Sequence, residues 1–559
     1  MSDAEGADSQ SKVLTATAVM AAGTVISRLS GFLRTALLVA ALGQQLHADV
    51  FNIANTIPNM LYILLAGGVI NAVLVPQLVR SMRNDADGGA AYTDRVITLA
   101  GLFLGLVTVL LVVAAPWVMN LFLDPEFARP ELSAQRESVV AFARFCLPQV
   151  FFYGMYVLVG QILNAHRRFG PMMWAPIANN VISIGVLVVY LAVYGPATDL
   201  QGAFTPRQEL LLGLGSTVGI VAQFAILLPY LAAVGYRYRP RFDFRDSGLG
   251  HTLRLGVWTV LFVIVNQLAY TVVVRLASSG TAQSAVEAVG QATGYTVYSQ
   301  AFLIIMTPHS VITVSLATAI LPMLSARAAE ADLSRLSHTL MDTLRTALVL
   351  ILPFAALLPL WATDLANLLW GHGAGRDDYR LYVPTLSLFG VGLVFFTVHY
   401  LMLRGFYALE RTRTVFWIQC AVAATNIAAA LLLVHRATPV RTAPALVLAY
   451  TASYAVGAAL SFGVLRRQVG GLEGRVTVQF LVRTGLAVAA VVAVSALVSL
   501  ALHRVVPEDP SWVLSGVLLG VLAVVAAATY LAAARALRLR EVTTIVTMVA
   551  GRLRRRGRG

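Results

Sequence analysis

The stretch GTVISRLSGFLRTALLVAALG, residues Gly23–Gly43, places two arginines, Arg28 and Arg34, inside an apolar run long enough to cross a bilayer. A cation at bilayer depth costs roughly 2.5 to 3.5 kcal/mol on insertion scales, so it normally faces a watery or protein-lined interior and has a function there. Two guanidinium groups on one helix favour an anionic ligand. The structural alternative is an arginine that extends to the interface or binds a helix carbonyl.

The rest of the chain is equally apolar. Of its 559 residues, 58% are hydrophobic and 12% are charged, and the mean hydropathy is +0.75. This composition excludes a soluble globular protein and predicts an all-α polytopic membrane protein. Pro58 and Pro308 are predicted break points within two spans. With about 20 residues per span, fourteen transmembrane helices are predicted, near residues 14–43, 50–79, 96–122, 139–165, 170–194, 209–235, 252–278, 291–325, 341–370, 382–408, 414–434, 442–465, 478–502 and 511–534.

The basic residues of the loops predict the orientation of the chain. With the N-terminus in the cytoplasm, the inside loops and tails carry about 29 of the 41 Lys and Arg residues, and the outside loops carry about 8. Both termini are therefore expected in the cytoplasm. The tail RLRRRGRG, residues 552–559, is either a simple positive-inside anchor or a site for anionic membrane lipids.

Two pairs of similar strings indicate an internal repeat. INAVLVPQLVRS, ending the second span, resembles LATAILPMLSAR, ending the eighth, with Pro76 matching Pro322 at an offset of 246 residues. LNAHRRFGPMMW (Leu163–Trp174) resembles FYALERTRTVFW (Phe406–Trp417) at an offset of 243 residues. The repeat predicts two six-helix lobes of the same orientation around a central substrate cavity, an arrangement typical of transporters.

The spans and the repeat predict the organisation of the chain. Basic and aromatic residues alternate in YRYRPRFDFRDSG, Tyr236–Gly248, which is predicted to lie on the inner headgroups. A site for a specific partner is the alternative for this segment. The predicted parts are a cytoplasmic N-terminal tail at 1–13, an N-lobe at 14–235, a connector at 236–251, a C-lobe at 252–465, two further helices within 466–534 and a basic cytoplasmic tail at 535–559.

The first part of the chain resembles a known family. The run SRLSGFLRTALLVAALGQQLHADVFNIANTIPNML, followed by GGVINAVLVPQLVR and later by SLATAILPML, is similar to the MurJ/MviN family of lipid II flippases. This family belongs to the multidrug/oligosaccharidyl-lipid/polysaccharide exporter superfamily. The resemblance implies two lobes that form a V around a cationic cavity, while the last two helices border a lipid-facing groove.

The resemblance also implies an activity. The substrate would be an undecaprenyl-diphosphate-linked disaccharide-pentapeptide, moved from the inner to the outer leaflet of the bacterial cytoplasmic membrane by alternating access. Cell-wall synthesis machinery is a further candidate partner. Carried over position by position, the resemblance assigns substrate binding to Arg28, Arg34 and Asp49. Guanidinium groups bind diphosphate oxygens bidentately without losing their charge. Asp49 is expected to pair with an arginine in one state and release it in another; capping the second helix is its alternative role.

The chain departs from the family pattern at four positions. Tyr62, Ile63 and Gly67 stand where better-known members have two arginines and a glutamate, and Leu303 stands where they have an eighth-helix arginine. No carboxylate lies in spans seven, eleven or twelve, whereas some members have a sodium site that includes a seventh-helix acid. These departures leave the lipid-linked glycan and the coupling ion open.

Other polar residues at membrane depth have both a functional interpretation and a packing interpretation. His309 and His399 could relay protons, although hydrogen bonding between helices is the simpler role. Further cavity candidates are Asn59, Arg144, Arg275, Gln300 and His309. Polar residues predicted to bridge helices, with a minority lining the sugar path, are Asn179, Asn180, Asn266, Gln267, Gln300 and Asn426.

Several kinds of chemistry are not expected. The nine histidines show no metal-ligand spacing, so no metal is expected. The phosphate-loop string GxxxxGKS does not occur, so neither ATP nor another cofactor is expected to act in this chain. A nucleic-acid partner is not expected either. The sequence therefore predicts a transporter rather than an enzyme.

Alternatives to a lipid II flippase remain open. Within the transporter class, the chain could export another polyprenyl-linked glycan or amphipathic drugs. A drug antiporter would be expected to expose a membrane-embedded acid, whereas the first span presents arginines. From a different class, a non-transporting scaffold of cell-wall synthesis would need no charged cavity.

Overall fold

The computed structural model describes residues 23, 25–64, 81, 87, 89–166, 168–243, 249–507 and 509–543, without the side chains of residues 249–256. Every regular element in this part of the chain is helical. Short 3₁₀ turns lie at Pro125–Ala128, Pro130–Leu132, Gly373–Gly375, Tyr379–Leu381 and Pro439–Arg441, and a π-helical segment lies at His309–Val314. The α-helices are α1 (Val25–Leu42), α2 (Leu46–Leu64), α3 (Ala90–Val113), α4 (Ala115–Phe122), α5 (Ser133–Cys146), α6 (Gln149–Ala165), α7 (Gly170–Tyr194), α8 (Pro206–Ala225), α9 (Leu227–Ala233), α10 (Leu249–Glu287), α11 (Tyr295–Pro308), α12 (Ser315–Ala329), α13 (Leu333–Trp370), α14 (Tyr382–Ala408), α15 (Thr412–His435), α16 (Thr442–Gln468), α17 (Gly474–His503) and α18 (Trp512–Ala536).

The helices confirm the predicted all-α polytopic membrane fold. Within the described residues, 13 helical segments are long and apolar enough to cross a membrane. Each coincides with a predicted span. α2 forms the first part of the remaining span, whose predicted residues 65–79 lie outside the described part of the chain. The predicted tail at 1–13, Gly67, Pro76 and the arginine-rich tail at 552–559 also lie outside it.

Helix interruptions fall at different places from the two predicted. α2 continues as one helix through Pro58, so that predicted break is wrong. Proline removes one backbone hydrogen bond, and in membrane helices neighbouring groups can satisfy the carbonyl that it frees. At Pro308 the helix stays continuous but changes to π-helical hydrogen bonding before α12. Interruptions that the sequence analysis did not predict lie at Ala114, Leu147, Pro148 and Ile226.

The described helices form two compact units. The first lies within residues 1–290 together with 373–375, and the second comprises residues 291–372 and 376–559. α10 belongs to the first unit, and α17 and α18 belong to the second. The lobe boundaries at 14–235 and 252–465 stay a prediction.

In the first unit, α2 packs against α5, α6 and α10, while α8 packs against α5, α6 and α7. A small residue permits one of these close approaches, because a Cβ added at Gly219 of α8 would lie 2.3 Å from the Asn179 side chain of α7. Apolar side chains of α3, α6 and α9, among them Val96, Val157 and Leu227, form a buried cluster. This packing fixes the positions of α2 and α6, which carry candidate site residues.

In the second unit, α14 packs against α11, α12, α13 and α16. A Cβ added at Gly390 of α14 would lie 2.5 Å from the Ala355 carbonyl oxygen of α13, so only glycine permits this approach. The Phe389 ring lies 5.5 Å from the rings of both Tyr298 and Tyr450, measured between centroids. Aromatic packing therefore joins α11, α14 and α16.

The internal repeat is confirmed at the junction that follows the fourth and tenth spans. α6 ends and α7 begins around LNAHRRFGPMMW, and α14 ends and α15 begins around FYALERTRTVFW. The Arg168 amide donates to the Leu163 carbonyl at 2.8 Å, and the Arg411 amide donates to the Phe406 carbonyl at 2.8 Å. Both residue pairs are offset by the 243 residues that separate the two strings. The two junctions therefore share one backbone turn.

A second correspondence between the units is a backbone hydrogen bond from the start of a helix, or just before it, to a distant loop. The His47 amide donates to the Leu200 carbonyl at 2.9 Å, and the Thr293 amide donates to the Pro439 carbonyl at 3.0 Å. His47 and Thr293 are offset by 246 residues, as the first pair of repeated strings predicts. In the first unit the start of α2, and in the second unit the residue two before α11, is thus hydrogen-bonded to a later loop of the same unit.

The last two helices dock on α13 through contacts near its middle and its end. The Tyr530 hydroxyl of α18 donates to the Val349 carbonyl of α13 at 2.6 Å. The Asn367 side chain of α13 donates to the Ser515 hydroxyl of α18 at 3.0 Å. Polar groups that lack water in a membrane need such partners. α18 is therefore held to α13 by specific hydrogen bonds as well as by packing.

An ionic cluster adds a third contact, near the start of α13. The Arg345 side chain is 3% exposed, donates to Asp342 Oδ1 at 2.9 Å and pairs with Glu473, the residue directly before α17. The other oxygen of each carboxylate faces His338. The Nε2 atom of His338 lies 3.8 Å from Asp342 Oδ2, and its Nδ1 atom contacts Glu473 Oε1. The ligand atoms of His338, Asp342 and Glu473 lie within 4.8 Å of one another, and Arg345 already occupies one oxygen of each carboxylate. The cluster joins α13 to the start of α17.

Acidification should weaken this contact. Burial opposes the charge of Glu473, but hydrogen bonds from His338 and Arg345 outweigh it and lower the pKa of Glu473 below its ordinary 4.5. A carboxylate whose pKa is lower in the folded state stabilises the fold above its ordinary pKa, and loses that contribution as the pH falls through its folded pKa. Thermal unfolding in detergent between pH 5 and pH 3.5 should therefore show a steeper loss of stability for wild type than for Glu473→Gln. Parallel slopes would contradict the prediction.

Candidate functional site

α1 carries both predicted arginines and is held in place by α7. The buried Asn180 side chain of α7 donates to the Ser27 carbonyl at 3.0 Å and to the Ser30 hydroxyl at 2.9 Å. Helical periodicity places Arg34 on the same face as Ser27. It places Arg28 about 100° around the helix from Ser27. Asn180 therefore sets the rotation of α1, and with it the direction of both arginines. Its predicted role as a bridge between helices is confirmed.

Arg34 interacts with one member of a pair of packed tyrosines. Arg28 and Arg34 are both half-buried, and neither makes an ion pair within the part of the chain that the structure describes. Arg34 interacts electrostatically with Tyr153 of α6. The Tyr153 ring in turn packs on the Tyr62 ring of α2, with 4.9 Å between centroids. Tyr62, one of the departures from the family pattern, is thus part of the surroundings of Arg34.

Asp49 lies in the first turn of α2 and is fully buried. Thr281 of α10 donates its hydroxyl to Asp49 Oδ2 at 2.7 Å. Arg34 lies eight residues before the end of α1 at Leu42, which corresponds to about 12 Å of helix rise. The carboxylate and the guanidinium are therefore at different depths, and Asp49 is joined to α10 by a hydrogen bond.

A second hydrogen bond joins α2 to α10. The Gln267 side chain of α10 donates to the Met60 carbonyl of α2 at 2.7 Å, which confirms Gln267 as a bridging residue. Thr281 and Gln267 are 14 residues apart, or about 21 Å along a helix. α10 is thus fastened to α2 at two separate levels. On α2, Asn59 is exposed, next to the carbonyl that Gln267 binds.

The other two predicted arginines of the first unit differ in their surroundings. Arg275 of α10 donates to the carbonyls of Asn120 at 3.1 Å and Leu121 at 3.4 Å, in the last turn of α4. Carbonyls at a helix C-terminus lack intrahelical partners and favour a cation. Arg275 therefore holds α10 to α4, a contact that a role in the cavity would have to break. Arg144 is exposed in the last turn of α5.

The predicted residues of the second unit lie inside its helix packing. Gln300 is 7% exposed and accepts a hydrogen bond of 2.9 Å from the Tyr382 hydroxyl, so it bridges α11 and α14. His309 is 3% exposed at the start of the π-helical segment, with Nδ1 3.4 Å from the Thr397 hydroxyl. Leu303 is half-buried on α11. Helix bridging is confirmed for Gln300.

Arg404 is a residue that the sequence analysis missed. Its guanidinium lies over the Tyr400 ring at 4.3 Å and over the Tyr407 ring at 5.5 Å, near the end of α14. The His309 ring lies 4.9 Å from the Tyr400 ring, so Tyr400 separates the histidine from the arginine. An aromatic face stabilises a cation by about 0.5 to 2 kcal/mol. The aromatic residues on either side of Arg404 in the sequence are the signal that would have identified this contact.

Two other contributors also escaped the sequence analysis. Tyr153 lies in an aromatic stretch of α6 with nothing to single it out. Thr281 lies beyond the predicted end of the seventh span at residue 278, whereas α10 continues to Glu287. Their contacts with Arg34 and Asp49 depend on helix packing, which a local pattern does not reveal.

The arrangement on α1, α2 and α6 can bind an anion. A guanidinium offers up to five donors in a planar fork, and a tyrosine hydroxyl can donate one more hydrogen bond to a phosphate oxygen. In a low-dielectric membrane interior these interactions are stronger than in water. An acidic residue on the same unit, Asp49, is held apart from Arg34 by its depth.

The fold is similar to the folds of two solved membrane transporters. A solved structure described as lipid II flippase MurJ in an inward closed conformation has a TM-score of 0.69 at 17% identity, covering 92% of this chain and 97% of that one. An inward-facing multidrug resistance MATE family transporter of the MOP superfamily has a TM-score of 0.64 at 16% identity, covering 80% of this chain and 96% of that one.

The sequence comparisons specify the family. The family model described as lipid II flippase MurJ matches residues 38–522, and the chain belongs to this family. A probable lipid II flippase MurJ from Rhizobium meliloti (strain 1021) is 27% identical over 418 residues, covering 74% of each chain. The lipid II flippase MurJ from Burkholderia cenocepacia is 26% identical over 397 residues, covering 70% of this chain and 72% of the relative. The matched region includes Asp49 and Tyr62, whereas Arg28 and Arg34 precede it.

Proposed function

We propose that this protein translocates lipid II, the undecaprenyl-diphosphate-linked disaccharide-pentapeptide, from the inner to the outer leaflet of the bacterial cytoplasmic membrane. Family membership and the names of the relatives support the substrate class. In this proposal both termini are cytoplasmic, as the distribution of basic residues favours. The chain acts as a transporter, with no catalytic residue and no cofactor of its own.

The observation that carries the proposal is the half-buried guanidinium of Arg34, which makes no ion pair within the described residues and interacts electrostatically with Tyr153. A diphosphate that leaves water needs charge compensation, and a buried cation without a carboxylate partner needs an anion. Each therefore compensates the other in the bound state. Arg28, about 9 Å further along the helix axis, adds a second cation. The polyprenyl tail would stay in lipid.

Asp49 and Thr281 provide a contact that could differ between transport states. Their hydrogen bond links α2 to α10 at one end, while the bond from Gln267 to Met60 links the same helices at another level. Alternating access requires elements that have two discrete arrangements. Exchange of the Asp49 partner between Thr281 and a cation is the proposed two-state step.

The decisive experiment replaces the flippase of a bacterium with this chain. Cells depleted of their own lipid II flippase should survive when this chain is expressed, and labelled lipid II should reach the outer leaflet. Arg28→Ala should fail to support growth, since the substrate loses one of its two cations. Arg380→Ala is the matched control, because Arg380 is exposed and pairs with the exposed Asp509.

Death of cells that carry well-inserted wild-type chain would contradict the proposal. Export of a different labelled polyprenyl-linked glycan by the same cells would then identify the alternative substrate. Survival with Arg28→Ala would instead remove Arg28 from substrate binding and leave the proposed activity intact.

A further inference from the structure

The first half of the connector, residues 236–243, is an extended strap across the start of α3. In the sequence YRYRPRFD, the aromatic residues and the proline occupy even positions, while arginines occupy three odd positions. Successive side chains of an extended chain point to opposite faces. The alternation therefore separates an aromatic face from a basic face.

Hydrogen bonds fasten the aromatic face to α3. The Tyr236 hydroxyl donates to Asp94 Oδ1 at 2.5 Å, and the Tyr238 hydroxyl lies 2.8 Å from the Thr98 hydroxyl. Asp94 is 5% exposed and Thr98 is 5% exposed, so both contacts are made by buried groups of α3. One turn of helix separates these two residues, which matches the two-residue step between the tyrosines.

The backbone of the strap binds the same two side chains. The Arg239 amide donates to Asp94 Oδ1 at 3.2 Å, and the Arg241 amide donates to the Thr98 hydroxyl at 3.1 Å. At the end of the strap, Asp243 pairs with Arg95 of α3. The strap is thus fixed to α3 along its length. Asp94 and Thr98 each bond two residues of the strap.

The basic face is left exposed by this attachment. Arg237, Arg239 and Arg241 are all exposed, and two residues of an extended chain span about 6.6 Å. Within the described residues the nearest carboxylate contact of this row is Arg241 to Asp243, at 3.8 Å. On the other face of the strap, the Phe242 ring is 68% exposed. Three exposed cations in a row, held in place by the bonds to α3, form a preorganised anion-binding surface.

We propose that the strap binds the headgroups of anionic phospholipids, with Asp94 as its positioning residue. The strap follows α9 and lies on the start of α3, so it sits where two spans leave the bilayer. The distribution of basic residues places this side in the cytoplasm, where leaflet lipids are anionic. The exposed aromatic ring suits the headgroup region. This surface is separate from the proposed substrate site on α1 and does not depend on the transported lipid.

Native mass spectrometry of the full chain released from nanodiscs tests the proposal. The probes are phosphatidylglycerol and phosphatidylcholine, titrated separately. The triple variant Arg237→Gln, Arg239→Gln, Arg241→Gln should bind phosphatidylglycerol at least about tenfold more weakly, with phosphatidylcholine unchanged, since each basic residue near an anionic surface contributes to attraction. The matched control removes the same charge from exposed arginines on predicted outside loops: Arg436→Gln, Arg441→Gln, Arg504→Gln.

Two further variants test the positioning role. Tyr236→Phe removes only the hydroxyl that binds Asp94, and Asp94→Ala removes the acceptor of two strap bonds. Both keep every arginine, yet both should weaken phosphatidylglycerol binding severalfold. Equal weakening by the control triple, or none by the strap triple, would overturn the proposal. A strap-dependent signal for undecaprenyl diphosphate but none for phosphatidylglycerol would also overturn it. None of these results bears on lipid II translocation, which is measured separately.

Discussion

Replacement of Arg34 by alanine should abolish lipid II translocation while the protein still folds and inserts. Hydrogen bonds to charged groups contribute about 1.5 to 3 kcal/mol each, so losing a bidentate contact should slow transport by about 100-fold or more. Insertion should not suffer, because removing a cation at membrane depth makes the span more apolar. The measurement is the accessibility of labelled lipid II in each leaflet of vesicles that contain the variant.

Two companion variants make the test specific. Arg34→Lys should restore transport only in part, since an ammonium keeps the charge but loses the planar fork. Arg275→Gln should lower thermal stability with little effect on transport per folded molecule, because Arg275 binds carbonyls of α4. Wild-type transport by Arg34→Ala would remove Arg34 from the mechanism. Equal losses for alanine and lysine would indicate a steric or hydrogen-bonding role instead of a simple charge requirement.

Replacement of Arg345 by alanine should lower the free energy of unfolding by about 3 kcal/mol, the low end for breaking a buried ion pair. Arg345 is nearly fully buried and holds both Glu473 and Asp342. Without it, Glu473 keeps a charge that is largely shielded from water. The variant should weaken mainly the attachment of α17 and α18 to α13. Thermal or SDS-induced unfolding in mixed micelles would measure the change in the free energy of unfolding.

An exposed pair on the same unit provides the control. Arg380 and Asp509 lie 2.8 Å apart, with side chains 59% and 86% exposed. Exposed pairs contribute about 0.2 to 1 kcal/mol, so Arg380→Ala should change stability much less. A double-mutant cycle of Arg345→Ala with Glu473→Gln would isolate the buried pair. Equal effects of Arg345→Ala and Arg380→Ala would contradict the assigned importance of burial.

The spans could be predicted because a membrane helix is a local property of the sequence. About 20 apolar residues suffice to identify one. α10 shows the limit of this reasoning, because its predicted end at 278 falls short of Glu287. The extra turns contain Thr281 and Ser284, which are polar but each 1% exposed. Packing against the rest of the first unit, rather than hydropathy, accounts for that part of the helix.

The candidate site could be predicted only as far as single residues. Arg28 and Arg34 stand out because charges are rare in apolar runs. The neighbours of Arg34 do not, since the pair of Tyr62 and Tyr153 joins residues far apart in sequence on α2 and α6. The same applies to the bond between Thr281 and Asp49, which crosses 232 residues. Such contacts depend on the packing of helices, which no local pattern encodes.

The bond from the His47 amide to the Leu200 carbonyl has a consequence for biosynthesis. Residues emerge from the ribosome in order, so α2 is complete long before the loop that contains Leu200 exists. The first amides of a helix have no intrahelical acceptor, and this one must wait for a partner 153 residues downstream. The second unit repeats the same delay between Thr293 and Pro439. Each unit therefore closes late, after its later loop has been synthesised, and the first unit can finish assembling while the second is still being translated.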